Sequence, residues 1–386
     1  RQLTDAIDSS YLEGLNPADY HSESIRRLLQ EQAGQTGAAR RAELDIVLTD
    51  SLVRLGYHLL IGKVDPEALD SHWNMNRQLP GLDPVLALSD AIDSGRVTKL
   101  IDSFRPQAPT YRNLMTALAH YRDLQAQGGW PRIPDGEPLK PGMEDARVVA
   151  LRQRLSITGD MPAADRDSTL FDSTVEAGVR NFQLRHGLDD DGVVGKGTLA
   201  ALNVPVADRI DQIRVNLERA RWILHDLPAE FVVADIAGFQ VKYFRDGEIV
   251  WEGRAQVGKP FRKTPVFRDR IRYLEFNPTW TVPPTILKKD VLPAIKRDSG
   301  YLASKNMRVL DGHGNPVSAA SIDWSRYPGK SFPYMIRQGP GPNNALGRVK
   351  FMFPNKHLVY LHDTPSKTLF ERSRRAFSSG CIRIEN

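Results

Sequence analysis

Two residues near the end of the chain have the types that thiol-based acyl transfer requires. Cys381 is the only cysteine of the 386 residues, and His362 precedes it in the same C-terminal stretch. An imidazole can take the proton of a thiol and so strengthen the sulfur as a nucleophile. A nearby guanidinium, here that of Arg383, favours the thiolate over the thiol. The three side chains would form an activated nucleophile if the fold brought them together.

Alternation of apolar and polar residues predicts that both segments are strands. In the stretch 358–362, Tyr360 and His362 share one face. In the stretch 381–384 the two isoleucines point to a core, which leaves Cys381 and Arg383 on the polar face. A lone cysteine is more often a small buried side chain, but the polar face of a strand is the wrong place for that role.

A glycine comes directly before the cysteine and permits a sharp bend of the backbone. A substrate could then approach the N–H groups of Gly380 and Cys381, which would act as an oxyanion hole. Spacing alone leaves this hypothesis open, because any cysteine has some histidine within twenty residues by chance.

The region that must position these residues reads as mostly β. From Phe231 onward the apolar period is that of strands, with a hairpin predicted around Asp246-Gly247 and further strands at 270–276 and 348–353. Residues 283–335 show no clear strand pattern, only a helix near 286–295. An insertion of this length is often a lid or a binding loop, and a passive decoration fits it equally well.

The remainder of the chain predicts helices. Residues 1–142 show helical spacing up to about residue 127, typical of a helical scaffold without evident chemistry. Three histidines of the scaffold lie far apart in sequence, and surface or core roles are favoured for them: His58, His72 and His120. Residues 143–205 predict three short helices, with a capping box at Ser173–Glu176 and a C-cap at Gly187. A helix in 206–228 is expected to return to the scaffold, so the three-helix module is an insertion.

Two strings of residues resemble known families. Leu151–Leu155, Val179–Gln183 and Asp191–Gly195 look like the three-helix peptidoglycan-binding module of cell-wall enzymes. His362, followed by fifteen residues and then Ser378–Arg383, resembles the signature of the YkuD-type L,D-transpeptidase catalytic domain. Ser379 stands where that family usually has histidine, and large Gram-negative members with a scaffold domain often have serine there. Upstream stretches also resemble those enzymes: 258–265, 277–284 and 344–351.

The resemblance implies an α+β multidomain chain: a helical scaffold, a three-helix peptidoglycan-binding module, and a mostly-β catalytic domain at 229–386 with an inserted lid-like segment. It implies Cys381 as nucleophile, His362 as base, and the amides of Gly380 and Cys381 as the oxyanion hole. A backbone carbonyl near the residue before the glycine would orient the histidine, and Asp363 would form a turn. The substrate-binding residues that it implies are Tyr360, Ser379, Arg383 and Trp280, although the tryptophan is slightly more typical of a core.

The implied reaction forms 3-3 cross-links between peptidoglycan stem peptides, through a thioester made from tetrapeptide stems. An L,D-carboxypeptidase that trims tetrapeptide to tripeptide and a non-catalytic wall-binding protein remain alternatives. The resemblance also implies glycan contacts, acylation by carbapenems, a part in maintaining cell shape and a periplasmic location. The first residues show no export signal, which a mature secreted chain would have lost, so its absence decides little.

Composition and motif content argue against several other classes of protein. The net charge of +5 is spread along the chain without a basic run, which disfavours nucleic-acid binding. No apolar stretch is long enough to span a membrane. The nine histidines include no HExxH pair, which argues against a zinc peptidase or amidase, and no metal or other cofactor is expected. A papain-like peptidase fits poorly, since its cysteine precedes the histidine and opens a helix.

Overall fold

The computed structural model describes residues 1–32, 37–70, 73–75, 83–163, 167–225, 227–327 and 332–385. The chain divides into two compact units, Arg1–Pro228 and Ala229–Asn386. His72 lies outside the described residues. Within the described ranges, no helix combines the length and apolar character needed to cross a bilayer.

The first unit is helical. Its α-helices are α1 (Gln2–Ser9), α2 (Ser22–Gln32), α3 (Ala38–Ile61), α4 (Pro66–Leu69), α5 (Pro84–Asp93), α6 (Val97–Ser103), α7 (Pro109–Ala126), α8 (Arg147–Ile157), α9 (Ser173–Arg185), α10 (Lys196–Leu202) and α11 (Val206–Ile223). Two 3₁₀ turns follow α1, at Ser10–Glu13 and Pro17–Tyr20.

Apolar faces at helical spacing bury the scaffold core. Leu52, Leu55 and Leu59 of α3 pack with Ile7 of α1 and Ile101 of α6. The helix α11 packs against α7 through a second cluster of buried side chains: Tyr111, Leu118, Ile210, Leu217 and Ala220. The chain thus leaves the scaffold after α7 and contacts it again through α11.

A buried polar network joins the same elements. The Glu13 carboxylate is 1% exposed and accepts hydrogen bonds from Tyr111 Oη at 2.9 Å and Arg105 Nε at 2.8 Å. Arg221 of α11 donates to the Glu13 carbonyl and, at 2.7 Å, to Glu218. A buried carboxylate needs such partners to offset its lost hydration, so this network ties the first 3₁₀ turn to α7 and α11.

The helices α8, α9 and α10 enclose their own core, which includes Val148, Leu151, Phe171, Val179 and Phe182, each fully buried. The predicted capping box at Ser173 is wrong by one residue. Asp172 is the N-cap of α9, and its carboxylate accepts from the N–H groups of Thr174 and Val175, both at 3.0 Å. Aspartate is as good an N-cap as serine, so the sequence pattern did not separate the two. Gly187 follows α9 with φ 64°, the left-handed conformation expected just after a helix end.

The second unit is mostly β. Its strands are β1 (Glu230–Asp235), β2 (Gln240–Arg245), β3 (Glu248–Gly258), β4 (Tyr273–Phe276), β5 (Trp280–Thr281), β6 (Met307–Leu310), β7 (Pro316–Val317), β8 (Met335–Gln338), β9 (Val349–Met352), β10 (Leu361–His362), β11 (Ala376–Ser378) and β12 (Ile382–Ile384). The main sheet has the order β1-β2-β3-β12-β10-β9-β4, and β11 pairs with the end of β3. The α+β multidomain fold class is confirmed.

The predicted hairpin joins β2 to β3. Asp246 and Gly247 have φ values of 50° and 86°, the pair of positive angles that a tight two-residue hairpin turn needs. The predicted strand at 358–362 is shorter than expected, because Leu358 has φ 54° and only Leu361 and His362 pair as a strand.

Residues 283–335, here the capping segment, contain strands that the sequence pattern did not predict. A second sheet of order β5-β8-β6-β7 draws β6 and β7 from the segment, and β8 begins at the last residue of the segment. Helices α12 (Pro284–Ile286), α13 (Leu292–Arg297) and α14 (Tyr301–Ser304) pack on this sheet. A π-helical turn at Leu287–Val291 joins α12 to α13. These strands are two to four residues long, too short for alternation to show.

The cap of α9 should control the stability of the module. Asp172 also pairs with Arg152 Nη2 at 2.6 Å, and the Arg152 side chain is 1% exposed. We expect Asp172→Ala to lower the opening free energy of α9 by about 2–3 kcal/mol, since it removes a cap and the partner of a buried cation. Hydrogen exchange of the α9 amides measures this. The control is Asp190→Ala, at an exposed aspartate of the following turn. It should change the opening free energy of α9 by less than about 0.5 kcal/mol. Equal effects of the two substitutions would contradict the assignment of Asp172 as the N-cap.

Candidate active site

The parallel pairing of β10 with β12 brings the predicted pair of segments together. In its register Leu361 lies opposite Ile382, and His362 opposite Arg383. Leu361 and Ile382 belong to a buried cluster on one face of the sheet. His362 and Arg383 therefore face the other way, and Tyr360 and Cys381, two residues before them, lie on that same face.

The row containing His362 continues across the neighbouring strands. Lys350 of β9 pairs with His362 on one side, and Glu275 of β4 pairs with Lys350 beyond it. On the other side Gln256 of β3 pairs with Arg383. Lys350 thus lies directly beside the histidine. Sequence reasoning placed a strand at 348–353 but gave Lys350 no role; the alternation of that strand was the signal available.

His362 is held by a backbone carbonyl. Its side chain is buried, with the residue 3% exposed, and Nδ1 donates to the carbonyl oxygen of Asp363 at 2.5 Å. A carbonyl only accepts, so Nδ1 carries the proton and Nε2 is free to act as a base. We expected this carbonyl near the residue before Gly380; the structure shows that of Asp363 instead. The Asp363 carboxylate accepts from Lys367 Nζ at 2.6 Å and from the Arg348 amide at 2.8 Å, consistent with a turn role.

Burial determines the charge states of His362 and Cys381. It lowers the pKa of His362 to about 3, and the positive charge of Arg383 adds to the effect. Burial also raises the pKa of the Cys381 thiol, an increase that the Tyr360 backbone N–H, Arg383 and Lys350 reduce but do not reverse. At neutral pH both residues are therefore uncharged. The Cys381 Sγ lies 3.9 Å from the Leu358 carbonyl oxygen.

The bend before the cysteine is fixed by two hydroxyls. Ser378 Oγ donates to the Cys381 carbonyl at 2.5 Å and accepts from the Gly380 N–H at 3.1 Å. Thr264 Oγ1 donates to the Gly380 carbonyl at 2.8 Å and accepts from the Gly258 N–H at 2.9 Å. Gly380 has φ 122°, a conformation that side chains disfavour.

These contacts bear on the expected oxyanion hole. The Gly380 amide is already engaged by Ser378, whereas within the described part of the chain the Cys381 amide has no hydrogen-bond partner. The Cys381 amide is therefore the group that is ready to receive a developing negative charge. The role of Ser378 and Thr264 was missed from the sequence, because hydroxyl residues in loops have no distinctive spacing.

Ser379 and Trp280 lie outside the row of residues that contains His362. Ser379 Oγ accepts from Arg262 Nη1 at 2.8 Å, and Arg262 also pairs with Asp290 of the capping segment at 2.8 Å. Trp280 lies in β5, half-buried against the core of the capping segment. It is not part of the row beside His362, which agrees with a packing role.

Tyr360 lies level with Cys381 on the adjacent strand. Its ring centroid is 3.8 Å from Lys350 Nζ, a cation–π contact.

The described residues contain no group of three or more histidine, cysteine, aspartate or glutamate side chains able to hold a metal ion.

Family models match most of the chain. Residues 229–386 match the YkuD family, described as "L,D-transpeptidase catalytic domain". Residues 1–118 match a "Scaffold domain", and residues 144–202 a "Putative peptidoglycan binding domain". The second unit is a YkuD L,D-transpeptidase catalytic domain. The resemblance noted from the sequence is thereby confirmed for all three regions.

Individual proteins are also similar to parts of the chain. A Haemophilus influenzae protein named "Putative L,D-transpeptidase" is 40% identical over 174 residues, 45% of this chain and 35% of that protein. The N-acetylmuramoyl-L-alanine amidase CwlM of Mycobacterium tuberculosis is 31% identical over 120 residues, 29% of this chain and 27% of that protein. The chain thus spans about a third of these relatives or less. A crystal structure of an L,D-transpeptidase from Xylanimonas cellulosilytica covers 66% of this chain and 89% of that one, with 18% identity and a TM-score of 0.19.

The charge states of the catalytic domain predict its thiol chemistry. Because burial raises the pKa of Cys381, alkylation by iodoacetamide should rise with pH around a midpoint above the ordinary 9.0. Arg383 lowers that pKa, so Arg383→Gln should move the midpoint higher still. Cys381 is the only cysteine, so mass spectrometry of the whole protein measures the rate.

Urea-unfolded protein is the control and should titrate at a lower pH than the folded form. A folded-state midpoint below 7 would contradict the uncharged pair and indicate a standing thiolate–imidazolium pair.

Proposed function

We propose that the chain catalyses L,D-transpeptidation of peptidoglycan, with Cys381 as nucleophile and His362 as base. The single observation that carries the proposal is the orientation of His362. Its Nδ1–H is fixed on the Asp363 carbonyl, and the parallel register puts the imidazole on the same face as Cys381. A base needs its reactive nitrogen oriented and deprotonated, and this arrangement supports both conditions for Nε2. The catalytic-domain match supports the reaction class.

The first half-reaction forms a thioester. His362 Nε2 accepts the thiol proton as Cys381 Sγ bonds to the carbonyl carbon of the third stem residue, a diamino acid. The Cys381 N–H stabilises the oxyanion. The imidazolium then gives its proton to the departing amine, and the bond to the terminal D-alanine breaks. Because the resting pair is uncharged, proton transfer accompanies sulfur attack rather than preceding it.

The second half-reaction consumes the thioester. The side-chain amine of another stem attacks the thioester carbonyl, His362 takes a proton from that amine, and the thiolate leaves and is reprotonated. The product is a cross-link between two third residues. With water in place of the amine, the same steps give a tripeptide, which is the L,D-carboxypeptidase alternative.

The module at residues 144–202 would hold the chain on peptidoglycan. Tethering raises the local concentration of stems without adding contacts at the site. We place the protein in the periplasm, where its polymer substrate lies, in a role that supports cell shape. A strained β-lactam carbonyl fits the same nucleophile, so carbapenems are proposed to acylate Cys381. A wall-binding protein without catalysis is the second candidate and is favoured only by the module.

Product analysis tests the proposal. Disaccharide-tetrapeptides incubated with the protein should give a dimer that has lost one D-alanine, read by mass spectrometry. Cys381→Ala should abolish it, since no other thiol exists in the chain, and His362→Gln should reduce it by at least about 100-fold, the lower end of the range for a general base.

The matched control is His313→Gln, at an exposed histidine in a turn of the capping segment, which should leave the rate unchanged. Tripeptide monomer without dimer would favour the carboxypeptidase. Product that persists in Cys381→Ala would overturn the mechanism.

A further inference from the structure

Two cations beside the nucleophile have no carboxylate partner. Among the residues described, no acidic side chain lies within 4.0 Å of the charged nitrogens of Lys350 or Arg383. Some other cations of the same unit are paired: Arg254 with Glu385, Arg262 with Asp290, and Lys367 with Asp363. Lys350 and Arg383 are distinguished by their place, since both flank His362 in register and neither has a carboxylate counter-ion there.

The ammonium of Lys350 lies close to the row that contains the cysteine. Lys350 pairs with His362 in register, yet its ammonium lies 3.8 Å from the centroid of Tyr360. Tyr360 is level with Cys381, since the residues after each are register partners. The Lys350 backbone is therefore level with His362, whereas its ammonium group lies near the level of Cys381.

The guanidinium of Arg383 is held but not neutralised. Its Nη1 donates to Gln256 Oε1, a neutral acceptor, at 3.3 Å. Its Nε is buried and has no hydrogen-bond partner. A buried donor without a partner is costly, and a built site for an incoming acceptor is one arrangement that explains its retention.

The groups around Lys350 and Arg383 do not neutralise the positive charges of these two side chains. Glu275 of β4 is in electrostatic reach of Lys350 but forms no ion pair with it. Tyr360, His362 and Cys381 also lie within electrostatic reach of one or both cations, and these three groups are uncharged at neutral pH. Burial lowers the pKa of both Lys350 and Arg383. The space between them is thus positive and partly desolvated, which is where an anion binds most strongly.

We propose that Lys350 and Arg383 together bind the free carboxylate of the donor residue on the leaving side of the scissile bond. This deepens the proposed function by naming the feature of the donor that is recognised. In a tetrapeptide stem that carboxylate is separated from the attacked carbonyl by one residue, so its carbon lies within about 3.8 Å of the carbonyl carbon. A carboxylate so close to Sγ falls within the field that both cations exert on Cys381.

Binding of this carboxylate has a second consequence. Arg383 and Lys350 both oppose protonation of His362. A bound carboxylate offsets their charge, so the imidazole becomes a stronger base only when a donor with a free acid is present. A stem extended by a further residue lacks the acid at this position and gains neither effect. The site thereby selects tetrapeptide over pentapeptide through charge.

The test compares two donors that differ only in this group: a tetrapeptide stem with a free C-terminal acid and the same stem with a C-terminal primary amide. The measurement is kcat/KM for release of D-alanine or its amide. We expect the wild-type protein to prefer the acid by about 10-fold to 100-fold, the range of one or two charge-assisted hydrogen bonds. Lys350→Met should lose most of that preference while losing little on the amide, and Lys350→Arg should restore it.

Lys356→Met is the matched control, at an exposed lysine of the loop between β9 and β10, and it should leave both donors unchanged. Equal rates on the two donors in the wild-type protein would overturn the proposal without need of any variant. A loss in Lys350→Met that is the same on both donors would also overturn it, because that pattern indicates an effect on the thiol or on folding. Wild-type protein that processes neither donor would contradict the proposed function itself.

Discussion

The parallel pairing of β10 with β12 is the constraint on which the site depends. Only two residue pairs define it, Leu361 with Ile382 and His362 with Arg383. A slip of one residue would turn the histidine or the cysteine into the apolar cluster, because side chains alternate between faces. Each short strand is held on its outer side as well, β10 by β9 and β12 by β3. Gln256 reinforces the register: it is fully buried, accepts from Arg383 and donates to the Ser366 carbonyl at 3.1 Å, which anchors the crossover between the two strands.

The same arrangement bears on how the proposed nucleophile, Cys381, would be activated. A buried histidine and a half-buried cysteine hold opposite charges only at a cost in free energy, because desolvation penalises each ion. Two cations flank the histidine and oppose its protonation further. The reactivity of this pair would therefore depend on how the two side chains are oriented. The Asp363 carbonyl orients the imidazole, and Ser378 and Thr264 fix the peptide units on either side of Gly380. In the proposed mechanism, a negative charge would enter the site with the substrate, and the resting protein holds no thiolate–imidazolium pair.

Much of this could be predicted from the sequence, and the omissions have common causes. Alternation around Cys381 and His362 was sufficient to place both on one face, and the turn at Asp246-Gly247 gave the hairpin. Lys350 was missed because its importance comes from register with a strand distant in the sequence, which periodicity does not reveal. The carbonyl of Asp363 was missed because backbone acceptors carry no residue signature. The sheet of the capping segment was missed because its strands are too short to show a period.

The central claim is that Cys381 carries the acyl group during turnover. The direct measurement is mass spectrometry of the protein, quenched in acid milliseconds to seconds after mixing with a tetrapeptide donor, followed by peptide mapping. The account predicts a transient adduct equal to the stem without its terminal D-alanine, located on Cys381 and decaying as cross-linked dimer or tripeptide appears. Turnover without any adduct on Cys381, or an adduct that maps to another residue, would contradict it.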